Sequence, residues 1–169
     1  MLRWSAMRAE DIANGPGIRT SIWVQGCPFH CKNCFNEETW DPNGGHILTN
    51  DIIDLFIKQG SKSYIKGFSI LGGEPLFINS EDMLRFVLLL KNDCPDKTIW
   101  MWTGYKYEDL RDNQLEIVRL VDVLVDGPFD YSLKNPNLRF RGSSNQRIIN
   151  IPETIKTKEV ILLKEYMEA

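Results

Sequence analysis

Three of the four cysteines, Cys27, Cys31 and Cys34, are separated by only four and three positions. Three thiolates this close in the chain can bind one metal centre. Fe–S clusters are bound by cysteine thiolates, and a [4Fe–4S] cluster has four irons, so three protein ligands leave one iron open to another ligand. A tetrahedral structural zinc site is an alternative, with His30 as a possible fourth ligand, although the His30 ring could equally face solvent. A disulfide scaffold is a third interpretation.

The composition is typical of an ordinary soluble globular protein, with 43% hydrophobic and 25% charged residues. The length predicts one domain over residues 1–169. A net charge of −3 gives no electrostatic reason to expect a nucleic-acid partner. The N-terminus lacks a signal-peptide core, and no apolar run approaches the roughly 18 residues of a membrane span, so we expect a cytoplasmic protein without a membrane partner. In that reducing compartment, clustered cysteines favour metal binding or catalysis over disulfides, and Cys94 is given no role.

Four segments rich in β-branched and aromatic residues are predicted to be strands. They are residues 19–25, 66–71, 98–102 and 122–126. Apolar residues at helical spacing predict the helices between them. The first follows Thr49 and Asn50 as N-caps and stops at Gly60, the second is capped by Ser80, and the third covers residues 107–120.

Strands that alternate with helices indicate βαβ units and a parallel sheet. The four strands, with one or two more near residues 146–150 and 160–163, are too few for a closed eight-stranded barrel. We therefore predict an α/β protein with a partial, open parallel β/α barrel. Each strand ends in a polar or glycine-rich segment, and ligands bind at the carboxyl ends of parallel strands. All candidate sites should therefore lie at one edge of the sheet.

The second predicted strand ends in the glycine segment, residues 72–75, with the sequence Gly-Gly-Glu-Pro. Its glycines allow a ligand to approach the backbone, whose peptide groups can bind an ammonium or carboxylate group, and Glu74 offers a carboxylate to a cation. The same sequence is also typical of a tight turn. Beside an open iron, however, it supports the hypothesis that S-adenosylmethionine chelates the iron through its amino and carboxylate groups.

The cysteine spacing, followed at the next strand end by the glycine segment, resembles the radical S-adenosylmethionine superfamily. Within it, the chain resembles the family of activating proteins of the anaerobic ribonucleoside-triphosphate reductase, over about residues 11–147. The segments that carry this closer resemblance are residues 14–17 (NGPG), 26–27 (GC), 100–105 (WMWTGY), 123–127 (VLVDG) and 141–146 (RGSSNQ). The last three, with the short chain, distinguish this family from others in the superfamily.

The resemblance implies a set of site residues. Cys27, Cys31 and Cys34 would bind three irons of a [4Fe–4S] cluster, and the fourth iron would bind S-adenosylmethionine. The remaining implied contacts with S-adenosylmethionine are Asn33, Cys34 and Phe35 near the adenine, Gly72, Gly73, Glu74 and Pro75 at the methionyl group, and Thr103 and Asp126. Asn33 and Pro128 depart from the common pattern of the family, in which glycine and lysine are frequent at these positions.

The resemblance also implies an activity and its partners. An electron from flavodoxin or a similar donor would allow reductive cleavage of S-adenosylmethionine, and the 5′-deoxyadenosyl radical would generate a glycyl radical on the reductase. Two alternatives stay open at this point. The chain could be another small radical S-adenosylmethionine enzyme, such as a different glycyl radical activase or a deazaguanine synthase, or a non-catalytic Fe–S electron-transfer module.

Several conspicuous side chains have no assigned role in this scheme. Trp100 and Trp102 alternate on a strand, which favours packing over ligand stacking. The loop at residues 142–146 is flanked by Arg139, Arg141 and Arg147, and it could be solvated or could dock a partner or close over a ligand. Arg19 could face the cluster or only begin its strand. Residues 156–166 lie beyond the resemblance and are given no role.

Overall fold

A computed structural model of the protein describes residues 1–167, which form one seven-stranded sheet with five α-helices. The order of the strands across the sheet is β3-β1-β2-β4-β5-β6-β7. The strands are β1 (Arg3–Asp11), β2 (Arg19–Val24), β3 (His46–Ile47), β4 (Gly67–Gly72), β5 (Thr98–Trp102), β6 (Val123–Asp126) and β7 (Arg147–Asn150). The helices are α1 (Asn50–Gly60), α2 (Ser80–Asp93), α3 (Asp112–Val118), α4 (Ile151–Thr157) and α5 (Lys164–Met167).

The centre of the sheet is parallel and its edges are antiparallel. Strands β2, β4, β5 and β6 pair in parallel, which confirms the four predicted strands and the open β/α architecture. Strand β1 was not predicted, because its arginines and acidic residues mask any apolar alternation, and it is held to β2 by backbone pairing. Strand β7 confirms the strand expected near residues 146–150, but residues 160–163 form only an isolated bridge, between Leu162 and Ile149.

The helix predictions are confirmed in type and partly wrong in extent. Helix α1 begins as predicted, with the Thr49 side chain accepting a hydrogen bond from the Ile52 N–H. Helix α2 begins at Ser80, but its N-cap is Asn79 in the left-handed conformation, so the cap was misplaced by one residue. The third helix is shorter than predicted, since residues 107–109 form a separate 3₁₀ turn and α3 covers only seven residues.

The two faces of the sheet are covered differently. Helices α1, α2 and α3 pack on one face and bury the main hydrophobic core against alternate residues of the central strands. The other face carries a smaller cluster, in which Trp100, Val125 and Ile148 contact Phe140 and Tyr166 from the C-terminal third of the chain. No helix within residues 1–167 is both long and apolar enough to span a membrane.

Arg19 lies at the amino end of β2, at the opposite end of the strand from the cysteines, and is completely buried. Its guanidinium donates to the Ser69 hydroxyl at 2.9 Å, to the Phe68 carbonyl at 2.9 Å and to Thr98 at 3.0 Å. Burial lowers the pKa of Arg19 to about 10. This arginine therefore joins the starts of β2, β4 and β5 and takes no part in the site at their carboxyl ends.

Candidate functional site

The cysteine loop, residues 26–40, follows the carboxyl end of β2, includes a short 3₁₀ turn at Glu37–Thr39, and is closed at its base by backbone hydrogen bonds. The Gly26 N–H donates to the Thr39 carbonyl at 2.6 Å, and the Cys27 N–H donates to the Trp40 carbonyl at 3.1 Å. Gly26 has φ +101°, a conformation that side chains disfavour, so this glycine turns the chain out of the strand. The loop therefore presents its three cysteines at the carboxyl edge of the sheet.

The three cysteine side chains are half-buried and line one cavity of about 810 Å³. This volume lies within the range of small-molecule and cofactor sites. Burial raises the pKa of the Cys27 and Cys31 thiols, because the uncharged thiol is favoured away from water. A cationic group bound here would reverse that preference and stabilise the thiolates.

The arrangement of donors fits a cluster better than a single ion. Within residues 1–167, no three Cys, His, Asp or Glu side chains come close enough together to bind one metal ion, as a zinc site requires. The His30 ring is exposed and stacks on Trp40, with ring centroids 4.4 Å apart. All four cysteines are free thiols, which disfavours a disulfide scaffold. Three separated thiols around one cavity are the donor set of a polynuclear Fe–S group with one open iron.

The glycine segment is tied directly to the cysteine loop. The Gly73 N–H donates to the Thr39 hydroxyl at 2.7 Å, and the Glu74 N–H donates to the Gly26 carbonyl at 2.7 Å. The Asn36 side chain donates to the Gly72 carbonyl at 3.1 Å. A Cβ atom on Gly73 would lie 2.6 Å from the Val24 carbonyl oxygen, so glycine is required for this approach of two backbones. The segment therefore positions the cysteine loop as well as lining the cavity.

The Glu74 carboxylate is buried and is bound within the protein. It accepts hydrogen bonds from the Leu76 N–H at 3.0 Å, the Thr103 hydroxyl at 2.8 Å and the Gly104 N–H at 2.6 Å. Burial raises the pKa of Glu74 to about 7, and the three donors oppose part of that increase. Because Thr103 and Gly104 follow β5, this carboxylate joins the ends of β4 and β5 beneath the cavity.

Asp126, at the end of β6, is held by another part of the protein. Its carboxylate accepts hydrogen bonds from Arg147, at 3.0 Å from Nε, and from the Tyr107 N–H at 2.8 Å. Arg147 also binds Glu108. The ion pairs raise the pKa of Arg147 and compensate the negative charge of the buried Asp126 carboxylate. Asp126 therefore fixes the end of β6 and the start of the turn at residues 107–109.

The structure brings together most of the site residues proposed from sequence. Those that line the cavity are Cys27, Cys31, Cys34, Phe35, Gly72, Gly73, Glu74 and Thr103. Asn33, Pro75 and Asp126 are not among the lining residues within the described part of the chain. Asn33 is exposed with φ +58°, a conformation that asparagine tolerates better than most residues, and Pro75 is buried.

Another side of the cavity is formed by the wall loop, residues 127–146, which meets the cysteine loop where the Phe129 and Phe35 rings pack with centroids 5.0 Å apart. Its lining residues include Phe129, Lys134, Phe140, Arg141 and Gly142. The segment 141–146 folds on itself, because the Gln146 side chain accepts from the Gly142 and Ser143 N–H groups and donates to the Gly127 carbonyl. The arginine-flanked loop therefore closes one side of the cavity.

Two further cavity residues were missed or only partly understood from sequence. Arg8 lies on the unpredicted strand β1, with its guanidinium 5.4 Å from the centre of the Trp23 ring, and both line the cavity. Trp102 packs against Trp100, as expected, but it also lines the cavity and donates from Nε1 to the Phe140 carbonyl at 2.8 Å. The alternation of β5 was the available signal for Trp102, whereas no local signal marks Arg8.

Comparisons with known proteins identify the family to which the chain belongs. A family model described as a 4Fe-4S single cluster domain matches residues 13–149. The activating protein of the anaerobic ribonucleoside-triphosphate reductase from Escherichia coli strain K12 is 45% identical over 139 residues, covering 80% of this chain and 90% of that protein. The protein of the same name from Enterobacteria phage T4 is 41% identical, covering 82% of this chain and 87% of that one. The chain belongs to the family of anaerobic ribonucleoside-triphosphate reductase-activating proteins.

A solved structure, QueE from Escherichia coli, aligns with a TM-score of 0.45 and 14% sequence identity. The alignment covers 75% of this chain and 71% of that one.

Proposed function

We propose that this protein activates an anaerobic ribonucleoside-triphosphate reductase by reductive cleavage of S-adenosylmethionine, which leads to a glycyl radical on the reductase. The observation that carries the proposal is the convergence of three cysteine thiols on one cavity beside the glycine segment, in a chain of this family. The donor set supports a [4Fe–4S] cluster with one iron free to bind S-adenosylmethionine.

When bound, the cluster supplies one electron to the sulfonium of S-adenosylmethionine, giving methionine and a 5′-deoxyadenosyl radical that takes a hydrogen atom from a glycine Cα. Flavodoxin or a similar low-potential protein is the proposed source of that electron.

The protein's own residues bind and orient the reactants. Cys27, Cys31 and Cys34 are the proposed cluster ligands. Gly72 and Gly73 line the cavity and are proposed to lie against the methionyl part of S-adenosylmethionine. Their position depends on the hydrogen bonds of Glu74 to the end of β5, so Glu74 acts by positioning. Phe35 and Thr103 are proposed further contacts, whereas Asn33, Pro75 and Asp126 shape the loops around the site.

The wall loop, together with Trp102 of β5, limits what can react with a radical formed in the cavity. Trp102, Phe129 and Phe140 give that side an apolar surface, which excludes water from the reacting atoms. Holding a glycine of the partner close to the 5′-carbon converts the hydrogen transfer into an effectively unimolecular step. The open side of the sheet allows a polypeptide loop to enter, as a macromolecular substrate requires.

An anaerobic assay tests the proposal. The protein is reconstituted with iron and sulfide, reduced, and mixed with S-adenosylmethionine and the cognate reductase. We expect 5′-deoxyadenosine and methionine in equal amounts, and a glycyl radical signal on the reductase by electron paramagnetic resonance. A protein that binds iron and sulfide but forms no 5′-deoxyadenosine with the reductase present would refute the proposed activity. Cleavage without a reductase radical would instead reject the partner.

The ligand assignment has its own test. Replacing Cys27, Cys31 or Cys34 with alanine should lower the bound iron and abolish 5′-deoxyadenosine formation. Cys94, which is buried away from the cavity, provides the matched control, because Cys94→Ala should retain both. Retention of a full iron content by any of the three cavity variants would show that the assignment is wrong.

A further inference from the structure

The C-terminal segment, residues 158–167, folds back along the edge strand β7. The Asn150 N–H donates to the Ile161 carbonyl at 2.8 Å, and the Leu163 N–H donates to the Ile148 carbonyl at 2.8 Å. The Ile161 N–H donates to the Thr154 hydroxyl at 3.0 Å. These bonds attach the segment to the sheet and to α4, so helix α5 has a defined place.

Helix α5 lies on the sheet face that α1, α2 and α3 leave uncovered. The Tyr166 ring packs edge-on against Trp100, with centroids 5.7 Å apart, and against Phe140 at 5.3 Å. The Arg139 guanidinium lies 4.9 Å from the centre of the Tyr166 ring and 5.2 Å from that of Phe140. A single aromatic side chain thus contacts both the central strand β5 and the wall loop.

The C-terminal segment also binds Arg141 of the wall loop. Arg141 donates from Nη2 to the Met167 carbonyl at 2.7 Å, and from Nη1 to the Ser144 and Gln146 carbonyls. Phe140, Arg141 and Trp102 line the cavity, whereas neither Tyr166 nor Met167 lines it. The C-terminal segment therefore lies directly behind the cavity wall and supports it.

The cysteine side of the cavity is held independently of this segment. The hydrogen bonds that join the cysteine loop to the glycine segment come from Gly26, Asn36, Thr39, Gly73 and Glu74. None of these bonds involves residues 158–167. A change in the C-terminal segment should therefore move the wall loop and leave these hydrogen bonds, and with them the glycine segment, unchanged. Phe35 is the exception within the proposed S-adenosylmethionine site, because its ring packs against Phe129 of the wall loop with centroids 5.0 Å apart.

We propose that the C-terminal segment, through Tyr166, positions the wall that receives the partner's polypeptide loop, and so sets how efficiently S-adenosylmethionine cleavage is coupled to formation of the glycyl radical. The proposal rests on the proposed function for its coupling readout. Its structural part, that Tyr166 holds the wall loop, stands on the contacts alone. Tyr166 is a positioning residue, because it acts through Phe140 and Arg141.

The first test is hydrogen–deuterium exchange on the reconstituted protein without the reductase. In Tyr166→Ala we expect exchange in residues 139–144 to rise about tenfold, because the aromatic and cation–π contacts that hold this segment are lost. Exchange in the glycine segment and at residues 26–27, the hydrogen-bonded base of the cysteine loop, should be unchanged. Tyr166→Phe, which keeps the ring, should behave as the wild-type protein, and Glu165→Ala provides an exposed control on the same helix. Unchanged exchange in residues 139–144, or an equal rise throughout the chain, would overturn the proposal.

The second test compares 5′-deoxyadenosine released with glycyl radical formed. In Tyr166→Ala we expect a several-fold higher ratio of 5′-deoxyadenosine to radical and a higher apparent KM for the reductase, with the KM for S-adenosylmethionine unchanged. A parallel loss of both products, with an unchanged ratio, would reject a positioning role. If the wild-type protein forms no 5′-deoxyadenosine, the proposed function fails, and the exchange experiment still decides whether Tyr166 holds the wall loop.

Discussion

Glu74 should make the stability of the fold depend on pH, because its carboxyl group is buried at the junction of β4 and β5. Its pKa is raised from 4.5 to about 7. A raised pKa means that the folded protein holds the proton more tightly than the unfolded chain. The stabilisation is therefore complete below pH 4.5 and is lost as the pH rises through 7. The opposite sign would apply to a carboxylate held by an ion pair.

The magnitude follows from the size of the shift. One pKa unit corresponds to about 1.4 kcal/mol, so the stabilisation that Glu74 contributes should fall by roughly 2 to 3 kcal/mol between pH 5 and pH 8. The group is only 3% exposed, so solvent screening removes little of this effect. Burial raises the pKa of the Cys27 and Cys31 thiols above 9.0, so these groups stay mainly protonated in this range.

The variant Glu74→Gln isolates this contribution. Glutamine has a similar shape and does not titrate. Any loss of hydrogen bonding in the variant therefore lowers its free energy of unfolding by the same amount at every pH. Urea unfolding of the iron-free protein, under reducing conditions at pH 5, 6, 7 and 8, gives the free energy of unfolding for both proteins. The free energy of unfolding of the wild-type protein minus that of the variant should fall by roughly 2 to 3 kcal/mol across the series. Glu116→Gln, at an exposed position of α3, is the matched control.

One result would refute this reasoning. If the difference between wild-type protein and Glu74→Gln were constant from pH 5 to pH 8, the pKa of Glu74 in the folded protein would not lie above its value in the unfolded chain. The three hydrogen-bond donors would then compensate burial completely or outweigh it.

Three further predictions concern the packing around the site. Gly73→Ala should destabilise the fold by about 2 kcal/mol and lower the iron content after reconstitution, because its Cβ would meet the Val24 carbonyl oxygen at 2.6 Å; unchanged urea midpoint and iron content would contradict this. Arg147→Met should cost about 3 kcal/mol in urea unfolding, since it leaves the buried Asp126 carboxylate unpaired, and a second change, Asp126→Asn, should recover part of that loss. Cys94→Ala should lower the free energy of unfolding by about 1 to 2 kcal/mol, because it leaves a small void in the core, and should leave the iron content unchanged. A fall in iron per folded protein would show that this thiol does have a role in iron binding.

Local patterns in the chain were sufficient for the central elements. The four parallel strands are rich in β-branched, aromatic and other apolar residues, because strands buried on both faces need apolar side chains on both. The cysteine spacing and the glycine segment were also visible, since each consists of neighbouring residues. Their meeting at one edge followed from the parallel order of the strands.

Strand β1 and the short α3 show where local patterns were insufficient. Strand β1 is half exposed and carries many charged residues, so it has no apolar alternation to detect, and pairing with β2 and β3 makes it a strand. The predicted long helix at residues 107–120 is interrupted because the Tyr107 N–H binds Asp126, 19 positions away. Neither contact leaves a signal in the adjacent sequence.

The sequence by itself therefore determined the parallel sheet and predicted the cluster ligands, because spacing within a loop and periodicity within a strand are local properties. Tertiary structure decided what surrounds that centre. It directed Glu74 and Asp126 into internal hydrogen bonds, placed Arg19 at the far end of the sheet, and set Tyr166 behind the wall of the cavity. These outcomes depend on contacts between residues distant in the chain, and burial then decides which polar groups must bind within the protein and which are left to bind a ligand.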